Sequence, residues 1–147
     1  MSLPTPELGS VIQFNFLWKN EALAGQEDGT KDRPCVIVLA VDRQADNQTQ
    51  VTVCPISHAS PAPGQPAVPV PSRVATYIGL DDRQSWIKTN EVNRFPWPKS
   101  RLPFGIAKTP KGAWSYGHIP PGLFQIMRDQ VIANYRDNTL KLIVREE

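Results

Sequence analysis

The chain has 147 residues, 40% of them hydrophobic and 20% charged, with a formal charge of +2 at pH 7. That is length and apolar content enough for one domain over 1–147 with a core of its own. No apolar run approaches the roughly 20 residues of a membrane-spanning helix, and the opening Met1-Ser2-Leu3-Pro4 lacks the basic and apolar regions of a secretory signal, so a cytoplasmic protein with no membrane partner is expected.

In chain order, Val11 to Trp18 alternates, with Ile12, Phe14, Phe16 and Trp18 on one face and Gln13 and Asn15 on the other, the period of a half-buried strand. A polar stretch from Lys19 to Asp32 follows. The apolar run Pro34 to Val41 then reads as a central strand buried on both faces. A turn at Asp46-Asn47 and the run Val51 to Ile56 predict an antiparallel hairpin, with Pro55 at a strand end or an edge. Five prolines between Ser60 and Pro71 exclude helix and leave an extended connector with room for an edge strand at Val68. Strands are expected at Val74–Ile78, Trp86–Thr89 and Val92–Phe95. Pro120-Pro121 can open a helix on which Leu123, Met127, Val131 and Tyr135 recur every four residues. His118 reads as a helix-entry residue, and Leu140 to Val144 alternates as a terminal strand. The sum is a mainly β fold, a small curled sheet or partly open barrel capped by a C-terminal helix.

Cys35 and Cys54 lie in apolar, β-branched stretches, where a free thiol packs as a small hydrophobe, and neither stands at metal-ligand spacing with His58 or His118. The net charge is too small to name a partner, but its distribution is uneven. Arg83 to Lys111 carries seven cations against the single anion Glu91. Such a segment could track a phosphate backbone, or it could be a solvated loop.

The order of the motifs resembles the PemK/MazF family of type II toxins. Gly9-Ser10-Val11-Ile12 resembles that family's first strand, Lys31-Asp32-Arg33-Pro34 before Cys35-Val36-Ile37-Val38 its Arg-Pro entry into the second, and Val53-Cys54-Pro55-Ile56-Ser57 its third. Gly117-His118-Ile119 and the helix from Pro121 resemble its C-terminal part, while Gly79–Trp86 and Asn93–Pro98 look like a longer subgroup. The resemblance implies an SH3-like small barrel, usually a homodimer neutralised by a cognate antitoxin protein, that cleaves single-stranded RNA such as mRNA without a metal or other cofactor. It also implies the chemistry, attack of a 2′-hydroxyl on the adjacent phosphate to leave a cyclic phosphate and a free 5′-hydroxyl. That reaction needs a base, an acid and cations around the phosphorane.

The resemblance carries over residue by residue. Arg33 matches the Arg-Pro position, where a guanidinium can grip a phosphate in two places, and Ser57 matches a hydroxyl-bearing position after the third strand. His58 is recommended by chemistry alone, as a group that titrates near neutrality. The family often shows Asp-Gln-Val/Pro-Arg where this chain reads Asn90-Glu91-Val92-Asn93, so the carboxylate has moved by one residue and onto the other strand face. Either Glu91 reaches the groove through a bulge or the base lies elsewhere. Lys31, Lys88, Arg94 and Trp97 are the candidate RNA contacts, Trp97 by stacking on an unpaired base. Against these stand the plain readings of surface cations, a turn serine and a packed tryptophan, and the alternative of a non-catalytic barrel that binds RNA or a protein. A third possibility, a gyrase-poisoning relative of the barrel, fits poorly with a chain ending Arg145-Glu146-Glu147.

Overall fold

The alternating run at Val11 builds β1 (Ser10–Phe14) in the computed structural model, which describes residues 3–43 and 45–145. There follow α1 (Lys19–Leu23), β2 (Arg33–Arg43), β3 (Gln48–Ser57), β4 (Ala67–Pro69), α2 (Ser72–Tyr77), β5 (Trp86–Lys88), β6 (Glu91–Pro98), β7 (Ile106–Ala107), β8 (Gly117–His118), α3 (Pro121–Arg136) and β9 (Lys141–Val144). The fold is therefore mainly β with a C-terminal helix. Met1, Ser2, Glu146 and Glu147, on which the leader and C-terminal readings partly rest, lie outside the described residues.

β2 and β3 form the expected antiparallel hairpin, turning at Asn47 in the left-handed region (φ 56°). β3 is the hub of the sheet. Its first half pairs with β6, and its last two residues pair with β5, which continues to β4. Pro55 sits inside β3, opposite Cys35, at the gap between those two ladders, not at the strand's end. β1 pairs with β2 on one side and with β7 and β8 on the other, and β9 adds to β6 as the one parallel pairing among the described residues. Among the described residues these pairings do not close into a ring.

Period-two alternation sorts the apolar side chains into two cores. Val11, Val36, Cys54, Ile56 and Val92 face α3, whose Leu123, Met127 and Val131 cover them. Ile12, Phe14, Phe16, Cys35, Ile37 and Val53 face the other way, with Phe95 stacked on Phe14 at 4.4 Å between ring centroids. Cys35–Val38 is thus buried on both faces as expected. The register shift between Ile37 and Leu39 ends this, and Leu39 and Val41 emerge at the surface.

Two expectations give way. Val74–Ile78 is not a strand but lies in and just beyond α2, because Val74, Ala75 and Ile78 at helical spacing can all face the α3 core, and Pro71 fixes the backbone just ahead of the first turn. His118 does not enter the helix; it belongs to β8 and pairs with Glu7 at 2.8 Å. α1, β7 and β8 are too short to leave a periodic trace. No helix among the described residues is long and apolar enough to cross a membrane.

One polar cluster is buried with the aromatic core. Asn93, fully covered, accepts the Leu17 N–H (2.9 Å), donates to the Leu17 carbonyl (2.9 Å) and accepts from the Arg145 guanidinium (3.1 Å). Arg145 also donates to the Asn15 carbonyl (2.5 Å) and to Asp28 (3.1 Å). Truncating Asn93 strands a buried N–H, a buried C=O and part of a guanidinium, each of which costs the full desolvation of its group. Asn93→Ala is expected to destabilise the fold by about 3 kcal/mol or more, seen as a lower urea midpoint, whereas an equal truncation at exposed Gln125 should leave the midpoint unchanged.

Candidate functional site

The start of β2, the end of β3 and the loop between α2 and β5 meet around a cleft of about 680 Å³. Register puts two of the sequence candidates there together. Continuing the Cys35–Pro55 pairing by two residues sets Arg33 opposite Ser57 on one strand face, and both line the cleft with Lys31 and His58. Asp32, Asp81 and Arg83 complete its charged rim.

The Arg33 guanidinium lies over the Trp18 ring, 5.0 Å from its centroid, and its buried Nε has no protein partner. Stacking holds the fork in place while leaving hydrogen-bonding capacity unused. Ser57 Oγ accepts the Ala59 N–H at 3.1 Å, a turn contact that leaves its own proton free to donate. The plain and the functional reading of that serine therefore coexist.

His58 is held at both nitrogens. Nδ1 faces the Gln84 carbonyl at 3.0 Å and Nε2 faces Asp81 Oδ2 at 2.9 Å. Both partners accept, so only the doubly protonated ring donates to the two at once. Asp81 in turn accepts the Arg83 N–H (3.1 Å) and lies 3.6 Å from the Arg83 guanidinium. Partial burial works to raise the Asp81 carboxyl, but the Arg83 N–H, the His58 ring and the Arg83 charge outweigh it and hold the group below the usual aspartate value. His58 and Asp81 thus form one clasp that fixes the α2–β5 loop as a wall of the cleft.

The remaining candidates lie elsewhere. Glu91 accepts the Lys19 N–H at 2.8 Å beside α1, and β6 runs in regular register from Glu91 onward, so no bulge carries the carboxylate toward Arg33. Lys88 is 3% exposed, and burial lowers its ammonium from the usual lysine value against the pull of Glu91. Arg94 lines a separate apolar groove with Arg128 and Tyr135. Trp97 is 4% exposed and donates its indole N–H to the Pro4 carbonyl (3.2 Å), which removes it as a stacking platform. The cation-rich segment is accordingly no single stripe: Lys88 is inside, Arg94 is at the groove, Lys108 stacks on Trp114, and of its later cations Lys111 reaches the cleft rim beside Gly79.

Sequence reasoning missed Asp81 and Ser85 in the α2–β5 loop, and Gln13 and Tyr116, all of which line the cleft, and Gln84, whose carbonyl faces His58. The polar run Asp81-Asp82-Arg83-Gln84 just before a strand was the available signal for the loop; nothing local marks Gln13 or Tyr116. No family model matches the chain, and no curated protein matches it.

Two outcomes test this electrostatic picture. Removing the ring in His58→Ala should move the Asp81 carboxyl titration, followed by carboxyl carbon shifts in NMR, upward toward the ordinary aspartate value; an unchanged titration would mean the clasp does not form in solution. Burial pushes the Cys54 thiol up to about 12 and raises Cys35 well above the ordinary value. Both should resist alkylation at neutral pH in the folded protein and react after denaturation.

Proposed function

We propose that this protein is a PemK/MazF-like toxin, a cytoplasmic endoribonuclease that cleaves single-stranded RNA by internal attack of a 2′-hydroxyl. The observation that carries the reading is the meeting of Arg33 and Ser57 in one cleft that Lys31 and the His58–Asp81 pair also line. Arg33 and Lys31 neutralise the phosphate, and Arg33 gains most as charge builds on the phosphorane oxygens. Ser57 donates to a phosphate oxygen. The His58–Asp81 pair supplies the acid and base capacity: one proton leaves the 2′-hydroxyl as the new P–O bond forms, and one reaches the departing 5′-oxygen as the old bond breaks. The curled sheet is, in this reading, an SH3-like barrel. Exposed Leu39, Leu142 and Tyr135 around the Arg94 groove offer an apolar face for a second copy or an antitoxin.

Incubation with labelled single-stranded RNA in the presence of a chelator should give fragments ending in a cyclic phosphate. Arg33→Ala should lower the rate by about 100-fold or more, and Arg33→Lys should restore little of it, since a point charge cannot replace a stacked fork. Cleavage that survives Arg33→Ala unchanged would refute the assignment.

A second reading, a barrel that binds RNA without cutting it, is favoured by two observations: both His58 nitrogens are already engaged within the protein, and Glu91 does not line the cleft. It predicts RNA retention that depends on Arg33 with no cyclic-phosphate product.

A further inference from the structure

Behind the charged rim, the cleft ends in a recess whose chemistry differs from that of a phosphate site. Ile56, Leu80 and Pro34 give it apolar walls, and Tyr116 supplies an aromatic ring where the core under α3 reaches the end of the sheet. Two polar groups interrupt these walls. Ser85 is 2% exposed, and its Oγ is buried without a protein partner. A covered hydroxyl without a partner is costly, and native proteins rarely keep one without a use.

The other polar group is Gln13. Tyr116 donates its hydroxyl proton to Gln13 Oε1 at 2.7 Å, and burial, with a smaller push from Cys35, raises the phenol above its usual value and keeps it a donor. The bond occupies the amide oxygen and orients the carboxamide. Its N–H groups make no bond among the described residues. The recess therefore offers apolar walls, an aromatic ring, amide donors and a serine hydroxyl, next to a stacked arginine whose Nε is also unpartnered.

We propose that this recess is a nucleobase subsite for the nucleotide on the 5′ side of the phosphate held by Arg33 and Ser57, and that its amide donors select uracil or guanine, which carry a carbonyl oxygen (O4 or O6) where cytosine and adenine carry an amino group. The proposal rests on the RNA reading above and adds the residues that set sequence preference. Apolar walls stack the ring, Gln13 reads its carbonyl edge, and Ser85 gains a partner when the base is seated. The same hydroxyl burdens the empty fold and contributes to binding, so its removal separates the two effects.

The test uses the full chain and four 2′-deoxydinucleotides that cannot be cleaved and differ only in the 5′ base, with affinity read by calorimetry. The uracil and guanine forms should bind about tenfold more tightly than the adenine and cytosine forms. Ser85→Ala should raise Tm and weaken binding of the preferred forms by about 2- to 10-fold. Gln13→Glu, which turns the donor edge into an acceptor edge while keeping the Tyr116 bond, should shift preference toward adenine and cytosine. Equal binding of all four bases, a Ser85→Ala protein with raised Tm and unchanged affinity, or a lowered Tm that reveals a structural partner for Oγ would each overturn the proposal. If the four bind equally and RNA is still cut in an Arg33-dependent way, the recess assignment alone fails. If none binds and RNA is not cut, the RNA reading fails with it.

Discussion

The position of the cleft's cationic wall depends on the buried contact between Asn93 and Arg145. Asn93 on β6 grips both backbone groups of Leu17, and Arg145, following β9, reaches past it to the Asn15 carbonyl and to Asp28. Asn15 then brackets Gly29, accepting its N–H at 2.8 Å and donating to its carbonyl at 3.1 Å. Nothing larger than glycine fits there, since a Cβ on Gly29 would stand 2.0 Å from the Phe16 carbonyl oxygen. Burial disfavours the Arg145 charge and Asp28 supports it, so the guanidinium is kept charged by a partner on the loop that it fastens. Lys31, Asp32 and Arg33 begin immediately after this pinned segment. Their placement is thus a consequence of contacts made from the far end of the chain.

Glu21 secures the same loop from its other side. It caps α1 by accepting the Trp18 N–H (3.0 Å) and accepts both the N–H and the hydroxyl of Thr30 (3.2 and 2.5 Å). Burial opposes its ionisation, but the Thr30 hydroxyl, these backbone donors and the nearby Arg33 charge hold its carboxyl below the usual value. Trp18 therefore does two things at once: its backbone starts α1 and its ring supports the Arg33 guanidinium. The arginine is rigid because the helix start and the loop are rigid, which is how a surface cation becomes a positioned one.

The parts of this structure that obey a short period were readable in the sequence, and the parts set by distant contacts were not. β1 to β3 follow alternation, and Arg33 and Ser57 meet because they are the first residue of β2 and the last of β3, strands whose pairing the hydrophobic pattern dictates. For Trp97 the structure bears out the packed alternative over the stacking one, and the signal for it was present. Asn93, Phe95 and Trp97 share a face opposite Val53, Val51 and Thr49, so a core position for Phe95 already places the tryptophan inside. Arg94, one residue out of phase, emerges on the opposite face. Val74–Ile78 shows the reverse, an error in which β-branched identity outweighed a spacing that suits a helix just as well. The α2–β5 loop has no period, and its role follows from where β3 ends.

That last point bears on the chemistry. β3 gives one edge first to β6 and at its end to β5, while β2 pairs along the other, so the strand that delivers Ser57 and His58 is braced on both flanks. The loop preceding β5 must therefore return beside His58, and the imidazole meets Asp81 and the Gln84 carbonyl as a result of topology. The ring is thereby tied to the loop twice, to its backbone at the Gln84 carbonyl and to its charge at Asp81, which also stands 3.6 Å from the Arg83 guanidinium. The end of β3 and the loop before β5 are held as one unit, so Ser57 sits beside a wall whose position follows from strand pairing rather than from any local pattern.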